Sequence, residues 1–351
     1  MATTIRKAVI SSFSTDPSLS NVAVVSAPLP APGKKEIQVR VLYAGFSGAD
    51  VNMARGTYPM QRKAPLTSGY SLVGVVAALG ANADASRSPI GSYVAAVTTY
   101  DAQAELVNVA QRLLCPVPPE LTGSDSLLRQ VAALSLDWAT AYGMVEHTAR
   151  VQAGQKVFIH GLSGAVGKGL MSLCLLRGAT VYGTASVRNH ASLEAAGATK
   201  VFDYRNKDWI AALRATGGVN AVFDPLGFES WDESFSVLGE TGILVGYGGN
   251  QAALSADKKP RSPWPWIAKL VTRSLLPLGG RRTSFYFIKP GSAGWQADMA
   301  ALMGLLREGR ITVPIKAVWD LDTEGLREAH RSWGSMPGMG SLLIRVAGES
   351  A

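Results

Sequence analysis

At 351 residues, with 47% hydrophobic and only 17% charged side chains, the chain is long enough for two domains and too apolar for disorder or a solvated coiled coil. Two cysteines, Cys115 and Cys174, exclude a disulfide scaffold and a four-cysteine zinc cluster, and no apolar run reaches the roughly eighteen residues of a membrane span. The net charge of +8 is spread thinly, which fits an ordinary surface or a phosphate-bearing ligand, so no nucleic-acid partner is expected.

The N-terminal stretch has no apolar core of secretory-signal length and reads at once as a strand, so a cytoplasmic location is expected. Up to about residue 125, strand-like runs (KAVISSF, EIQVRVLYAGF, LVGVVAALG, SYVAAVTTY) alternate with Pro and Gly turns, the mark of half-buried antiparallel strands. A helical stretch follows at 127–147. After it come a strand at 156–160, a Gly-rich turn, a helix at 166–177, a strand at 180–184 and a helix at 189–196. Further buried strands fall at 201–203, 221–224, 242–246 and 283–288. Short apolar strands separated by helix-length segments predict an α/β fold with a doubly wound parallel sheet. A helix at 295–307 and strands at 311–318 and 341–346 return to complete the first domain. The expected organisation is therefore 1–128 with 289–351 as a β-rich domain, and 129–288 as the parallel-sheet domain. A basic, Trp-containing insert at 255–282 carries Lys258, Lys259, Arg261, Lys269, Arg273, Arg281 and Arg282 around Trp264, Trp266, Ile267, Leu270, Val271, Leu275 and Leu276. It reads as a lid or subunit-contact helix beside the last strand, or as a segment lying on an anionic membrane surface.

The string HGLSGAVGKG at 160–169 follows a strand and opens a helix, the setting of a dinucleotide site. Gly161 permits the tight turn, and Ser163, Gly164, Ala165 and Val166 let a diphosphate approach the backbone. Gly167 lets the helix pack closely, and the helix N-terminus offers N–H groups and a positive dipole. The spacing is GxxGxxG rather than GxGxxG. On the second strand, an NAD-preferring site needs an Asp or Glu for the ribose 2′-hydroxyl. Here the chain reads TASVRN, with Ser186 and Arg188 suited to a 2′-phosphate and Tyr204 offering a further hydroxyl, so the expected cofactor is NADPH (NADP+).

With VRVLYAGFSGAD (39–50), RGTYP (55–59), GYSLVG (69–74), Thr140-Ala141, HGLSGAVG (160–167), TAS (184–186), VFDY (201–204), EAH (328–330) and GSLLI (340–344), the chain resembles the medium-chain dehydrogenase/reductase superfamily over nearly its whole length. The branch it resembles is the zinc-free one, similar to quinone oxidoreductases and enoyl reductases. The resemblance implies a GroES-like catalytic domain beside a Rossmann domain. It also implies no metal: Ser47, Tyr70, Ser71 and Leu136 stand where zinc-dependent members carry ligands. By the same resemblance Phe46, Ser47 and Asp50 belong to a stretch lining the nicotinamide pocket, with Ser47 a catalytic candidate and Asp50 either catalytic or fixing its loop. Tyr58 matches the proton donor of enoyl reductases, or is a strand-end aromatic. Thr140, Gly246, Tyr247, Phe285 and Phe287 match positions beside the nicotinamide and its ribose.

The implied activity is hydride transfer from NADPH to an electron-poor small molecule, a quinone or a conjugated enone. The alternatives are a trans-acting enoyl reductase on a polyketide or fatty-acyl intermediate, and a membrane-associated NADPH-binding protein with little turnover. The family also implies a homodimer joined through the last strand of the sheet.

Overall fold

The computed structural model describes residues 2–254, 261–262, 264–275 and 279–346; Lys258, Lys259 and Leu276 lie outside them. The chain divides into two units, one of residues 1–139, 289–337 and 341–351, the other of residues 140–288 and 338–340. In chain order the strands are β1 (Thr3–Ile10), β2 (Val22–Leu29), β3 (Glu36–Phe46), β4 (Ser71–Leu79), β5 (Tyr93–Val97), β6 (Leu106–Ala110), β7 (Leu114–Pro116), β8 (Lys156–Ile159), β9 (Thr180–Ala185), β10 (Lys200–Asp203), β11 (Val219–Asp224), β12 (Leu238–Gly246), β13 (Arg282–Phe285), β14 (Ile315–Asp320) and β15 (Ser341–Arg345). The helices are α1 (Gly48–Arg55), α2 (Asp125–Ala133), α3 (Ala139–Tyr142), α4 (Ala165–Leu176), α5 (His190–Ala195), α6 (Asp208–Ala215), α7 (Glu229–Ser236), α8 (Gln251–Leu254), α9 (Trp264–Leu275), α10 (Ala293–Arg307) and α11 (Thr323–Ser332).

In the first unit the sheet order is β14-β15-β3-β4-β5-β7, with β6 on β3 and a separate β1–β2 pair. All its pairings are antiparallel except β14 with β15. Alternation in β3 buries Ile37, Val39 and Val41, and these pack with Leu72, Val76, Val94, Val107 and Ile344 in one core. Helix α2 packs on β3, β4 and β15, which carries the first unit on to Ala139 rather than ending it at 128.

The second unit is an all-parallel sheet in the order β10-β9-β8-β11-β12-β13, so the strand order reverses beside β8, where such sheets bind ligands. Its core contains Phe158, Trp209, Val222, Trp231 and Leu244.

Three expected elements differ. The helix at 127–147 is broken into α2, a π-helical stretch at Leu134–Trp138, α3 and a second π-helical stretch at Gly143–Ala149. The strand at 311–318 joins its ladder only from Ile315, because Pro314 has no N–H to give; its carbonyl instead accepts from Ser341. The strand at 283–288 is shorter, Arg282–Phe285, and forms one edge of the parallel sheet.

Candidate functional site

The Gly-rich turn has the geometry its spacing implies. Gly161 sits at φ +72°, and a Cβ on Gly167 would stand 2.1 Å from the Gly161 carbonyl oxygen. Only glycine lets α4 start this close to β8. Gly164 N–H donates to Gly161 O (2.9 Å), and Gly340 N–H donates to Ser163 O (3.0 Å), bracing the loop from outside. No side chain caps α4. In its first turn Lys168 N–H donates to Gly164 O (2.9 Å) and Ala165 follows the parallel bridge of Gly164 to Gly340, which leaves the N–H groups of Val166 and Gly167 to suit an anion. Lys168 lies in that first turn with its ammonium pKa lowered by burial. Neither Lys168 nor Gly340 was expected from the sequence; a lysine inside the Gly string was the one legible hint.

At the C-terminal ends of the adjacent strands β9 and β10 stand Ser186, Arg188, Tyr204 and Arg205. Tyr204 is 62% exposed, and its backbone N–H donates to Ala185 O (3.3 Å). The carboxylate nearest in sequence, Asp203, is held by Arg205 at 3.1 and 2.8 Å, which keeps its pKa below the usual carboxylate range. Arg205 is a second cation at this rim that the sequence reading passed over.

Beneath the turn runs a buried network. His160 reaches Thr184 Oγ1 (3.3 Å) and Ser234 Oγ (3.1 Å), and Ser234 and Ser230 each donate to Asp224 at 2.7 Å. Burial lowers the His160 pKa, and its ring packs on Phe158 and Trp209, so its role is to hold the strand ends. Asp224 O also accepts from Tyr247 N–H (3.2 Å). Gly246 is crowded, since a Cβ would meet Trp231 at 2.9 Å. Phe285 packs edge-on against Trp231, while Phe287, 4.5 Å from it between ring centroids, is 52% exposed. Phe287 is thus the more available of the two expected aromatics. Thr140, in α3, is half-buried.

In the first unit, Phe46 is only 2% exposed and its ring packs edge-on against Trp319 and His330, so its side chain belongs to the core and not to a cofactor surface. Ser47 caps α1. Asp50 closes a capping box with it, accepting from Ser47 N–H (2.9 Å), Gly69 N–H (3.1 Å) and Gln103 Nε2 (3.2 Å). Asp50 is 0% exposed and burial pushes its pKa up to about 6. Of its two expected roles, the structure carries the loop-fixing one. Tyr58 is part-buried; its hydroxyl donates to Tyr70 Oη at 3.1 Å, and burial first, then Tyr70, raises its pKa.

A residue missed from sequence is Asp137. The π-helical stretch buries it, Ser341 Oγ donates to it at 2.6 Å, and burial with the nearby Asp50 pushes its pKa up to about 7. Its signal was a lone acid in the otherwise apolar run AALSLDWATAYGM. Among the described residues no three His, Cys, Asp or Glu side chains come together as a metal site.

The insert forms α9 beside β13, burying Ile267 and Leu270. Three of its described cations face α7: Arg261 grips Glu229 at 3.0 and 2.6 Å, while Lys269 (2.6 Å) and Arg273 (2.8 Å) share Asp232. No helix among the described residues is long and apolar enough to cross a membrane.

Comparison with known proteins adds two family matches: an alcohol dehydrogenase GroES-like domain over residues 33–144 and a zinc-binding dehydrogenase domain over residues 196–343. The chain is 26% identical over 339 residues to the synaptic vesicle membrane protein VAT-1 homolog-like of Homo sapiens, covering 93% of this chain and 78% of that protein. To a probable quinone oxidoreductase of Schizosaccharomyces pombe it is 25% identical over 327 residues, 93% of each. The crystal structure of Escherichia coli quinone oxidoreductase complexed with NADPH superposes with a TM-score of 0.79 at 21% identity, over 97% of this chain and 99% of that one.

Proposed function

We infer the activity from one premise: the chain belongs to the medium-chain dehydrogenase/reductase superfamily, in its zinc-free, quinone-oxidoreductase-like branch. It is an oxidoreductase of that branch, and the reaction proposed is NADPH-dependent, metal-independent reduction of a quinone or a conjugated enone. The observation that carries this reading is the pairing of an uncapped α4 N-terminus with a rim of Ser186, Arg188, Tyr204 and Arg205, in which the end of β9 has no carboxylate.

The residues fit the cofactor. Any Cβ at Gly167 would strike the Gly161 carbonyl oxygen, so glycine there keeps the turn tight against the start of α4, the geometry that suits a diphosphate. Ser163 to Val166 would line that group, with Val166 offering a backbone N–H while the Gly164 N–H stays on Gly161 O (2.9 Å), and Lys168 adds positive charge. Arg188, with Ser186 and Tyr204, would hold a 2′-phosphate through charge-assisted hydrogen bonds. Bound there, the reduced nicotinamide supplies hydride. The chain's own part is then to orient the reactants, exclude water and deliver a proton. Tyr58 is the proposed source of that proton, its hydroxyl oriented by Tyr70. The homodimer is proposed on β13, the strand that ends the parallel sheet among the described residues.

The test is titration of both nucleotides into wild type and Arg188→Ala. NADPH affinity is expected to fall at least about tenfold and NADH affinity to stay within about twofold. Equal weakening of both would remove the 2′-phosphate from the account. A parallel screen of NADPH oxidation with quinones, enones, enoyl thioesters and aldehydes then assigns the acceptor.

A further inference from the structure

We propose that the first unit holds a second binding site, for a small amphiphile with one anionic head, typified by a medium-chain carboxylate, in the cavity between α10 and the β5–β7 edge of the sheet. The cavity measures about 590 Å³, within the range that accommodates small ligands. None of the residues assigned above to cofactor or proton supply lines it.

Its chemistry is two-sided. Leu114, Val117 and Met303 give apolar wall, while Arg87 and Arg307 stand on the lining with no Asp or Glu among them. Both arginines are exposed, and among the described residues neither closes an ion pair, unlike Arg261 or Arg273 of the second unit. Arg87 feels the nearby exposed Asp84, so it is Arg307 whose guanidinium, beside the apolar wall, complements a carboxylate with a hydrocarbon tail. The amides at the site are already engaged. Gln296 Nε2 donates to Arg112 O (3.1 Å), and Gln111 Nε2 donates to Ser88 Oγ (3.1 Å) and Asp84 O (2.7 Å).

Helix α10 supplies the second argument. Gln296, Ala300, Met303, Gly304 and Arg307 share one helical face and turn it to the cavity. Gly304 lies inside the helix, where glycine is the worst residue short of proline. Nothing lies within 4 Å of where its Cβ would be. No neighbour therefore demands a glycine there, and what its missing side chain leaves is open volume.

The experiment is calorimetric titration of the full chain, saturated with NADPH, with hexanoate, octanoate, decanoate and 1-octanol at submicellar concentrations. Octanoate is expected to bind at least about tenfold more tightly than octanol, with each added methylene tightening the carboxylate series by about two- to fourfold. Arg307→Gln should weaken octanoate about tenfold and leave octanol unchanged. Gly304→Leu, which fills the cavity, should abolish binding of both while NADPH oxidation persists. Octanol binding as tightly as octanoate, or octanoate binding that survives Gly304→Leu, overturns the proposal. Should Gly304→Leu fail to fold, the Arg307→Gln comparison decides alone: equal octanoate affinity in variant and wild type refutes the site.

Discussion

Two glycines in helices show how one residue type serves opposite ends. Gly167 has a backbone oxygen 2.1 Å from its missing Cβ, whereas Gly304 has open space. Gly167→Ala is accordingly expected to lower NADPH affinity at least about tenfold and stability by about 2 kcal/mol, because α4 must back away from Gly161. Gly304→Ala should raise stability by about 0.5–1 kcal/mol through helix propensity alone. Thermal or urea unfolding of both variants reads the contrast, and a destabilised Gly304→Ala would contradict it. Tyr58 poses a sharper chemical question at the same scale. Burial and Tyr70 hold its phenol protonated, which keeps a proton in place but opposes the phenolate that donation leaves behind. It can serve only a strongly basic carbon or oxygen. Tyr58→Phe is expected to cut turnover on an enone by about 10- to 100-fold with NADPH affinity unchanged; undiminished turnover in a folded variant removes Tyr58 from the reaction.

Among the elements, the π-helical stretch Leu134–Trp138 is the one whose consequence reaches stability. It holds Asp137 in the interior with a pKa of about 7, whereas the unfolded chain's aspartates titrate near 4. The folded state thus binds this proton more tightly than the unfolded state does, so stability declines as pH rises from about 4 to about 7. Asp137→Asn removes that slope. The variant should match wild type at about pH 3 and exceed it by a margin that grows above about pH 4 to on the order of 4 kcal/mol at pH 8, measured by urea denaturation; a variant weaker at pH 8 would mean the ionised carboxylate is stabilising. Helix α9 illustrates an element whose sequence misleads. Its basic and aromatic composition suits a lipid surface, but Arg261, Lys269 and Arg273 are paired with Glu229 and Asp232. Wild type is expected not to co-sediment with anionic vesicles, and Glu229→Gln with Asp232→Asn should increase binding while costing less than about 1 kcal/mol, as exposed pairs do. Vesicle binding by wild type that is lost in Trp264→Ser would restore the membrane reading.

Across the whole molecule these titrations oppose one another. Burial and Arg55 push the His330 pKa down to about 4, so its contribution is present above the ordinary histidine range and lost as pH falls from about 6.5 toward 4. Asp137 and the buried Asp50, with pKa values of about 7 and about 6, act in the other direction over the same window. Two carboxyls outweigh one imidazole, so wild-type stability should fall as pH rises from about 4 to about 6, whereas in Asp137→Asn the Asp50 and His330 slopes oppose one another and the profile is flatter. A wild-type profile no steeper than the variant's would show that Asp137 does not hold its proton in the folded state.

The parallel-sheet unit, its Gly-rich turn and the Ser186–Arg188 rim were legible in the sequence, because strand-turn-helix periodicity and glycine requirements are local. What required tertiary structure was every property set by burial and by partners distant in the chain. Asp50 became a buried lock through Gly69 and Gln103, Phe46 went into the core beside Trp319 and His330, and Asp137 met Ser341 across 204 positions. The cations of α9 found their acids on α7. Local pattern dictates backbone geometry, but the charge, exposure and accessibility of a side chain depend on what the rest of the chain brings against it.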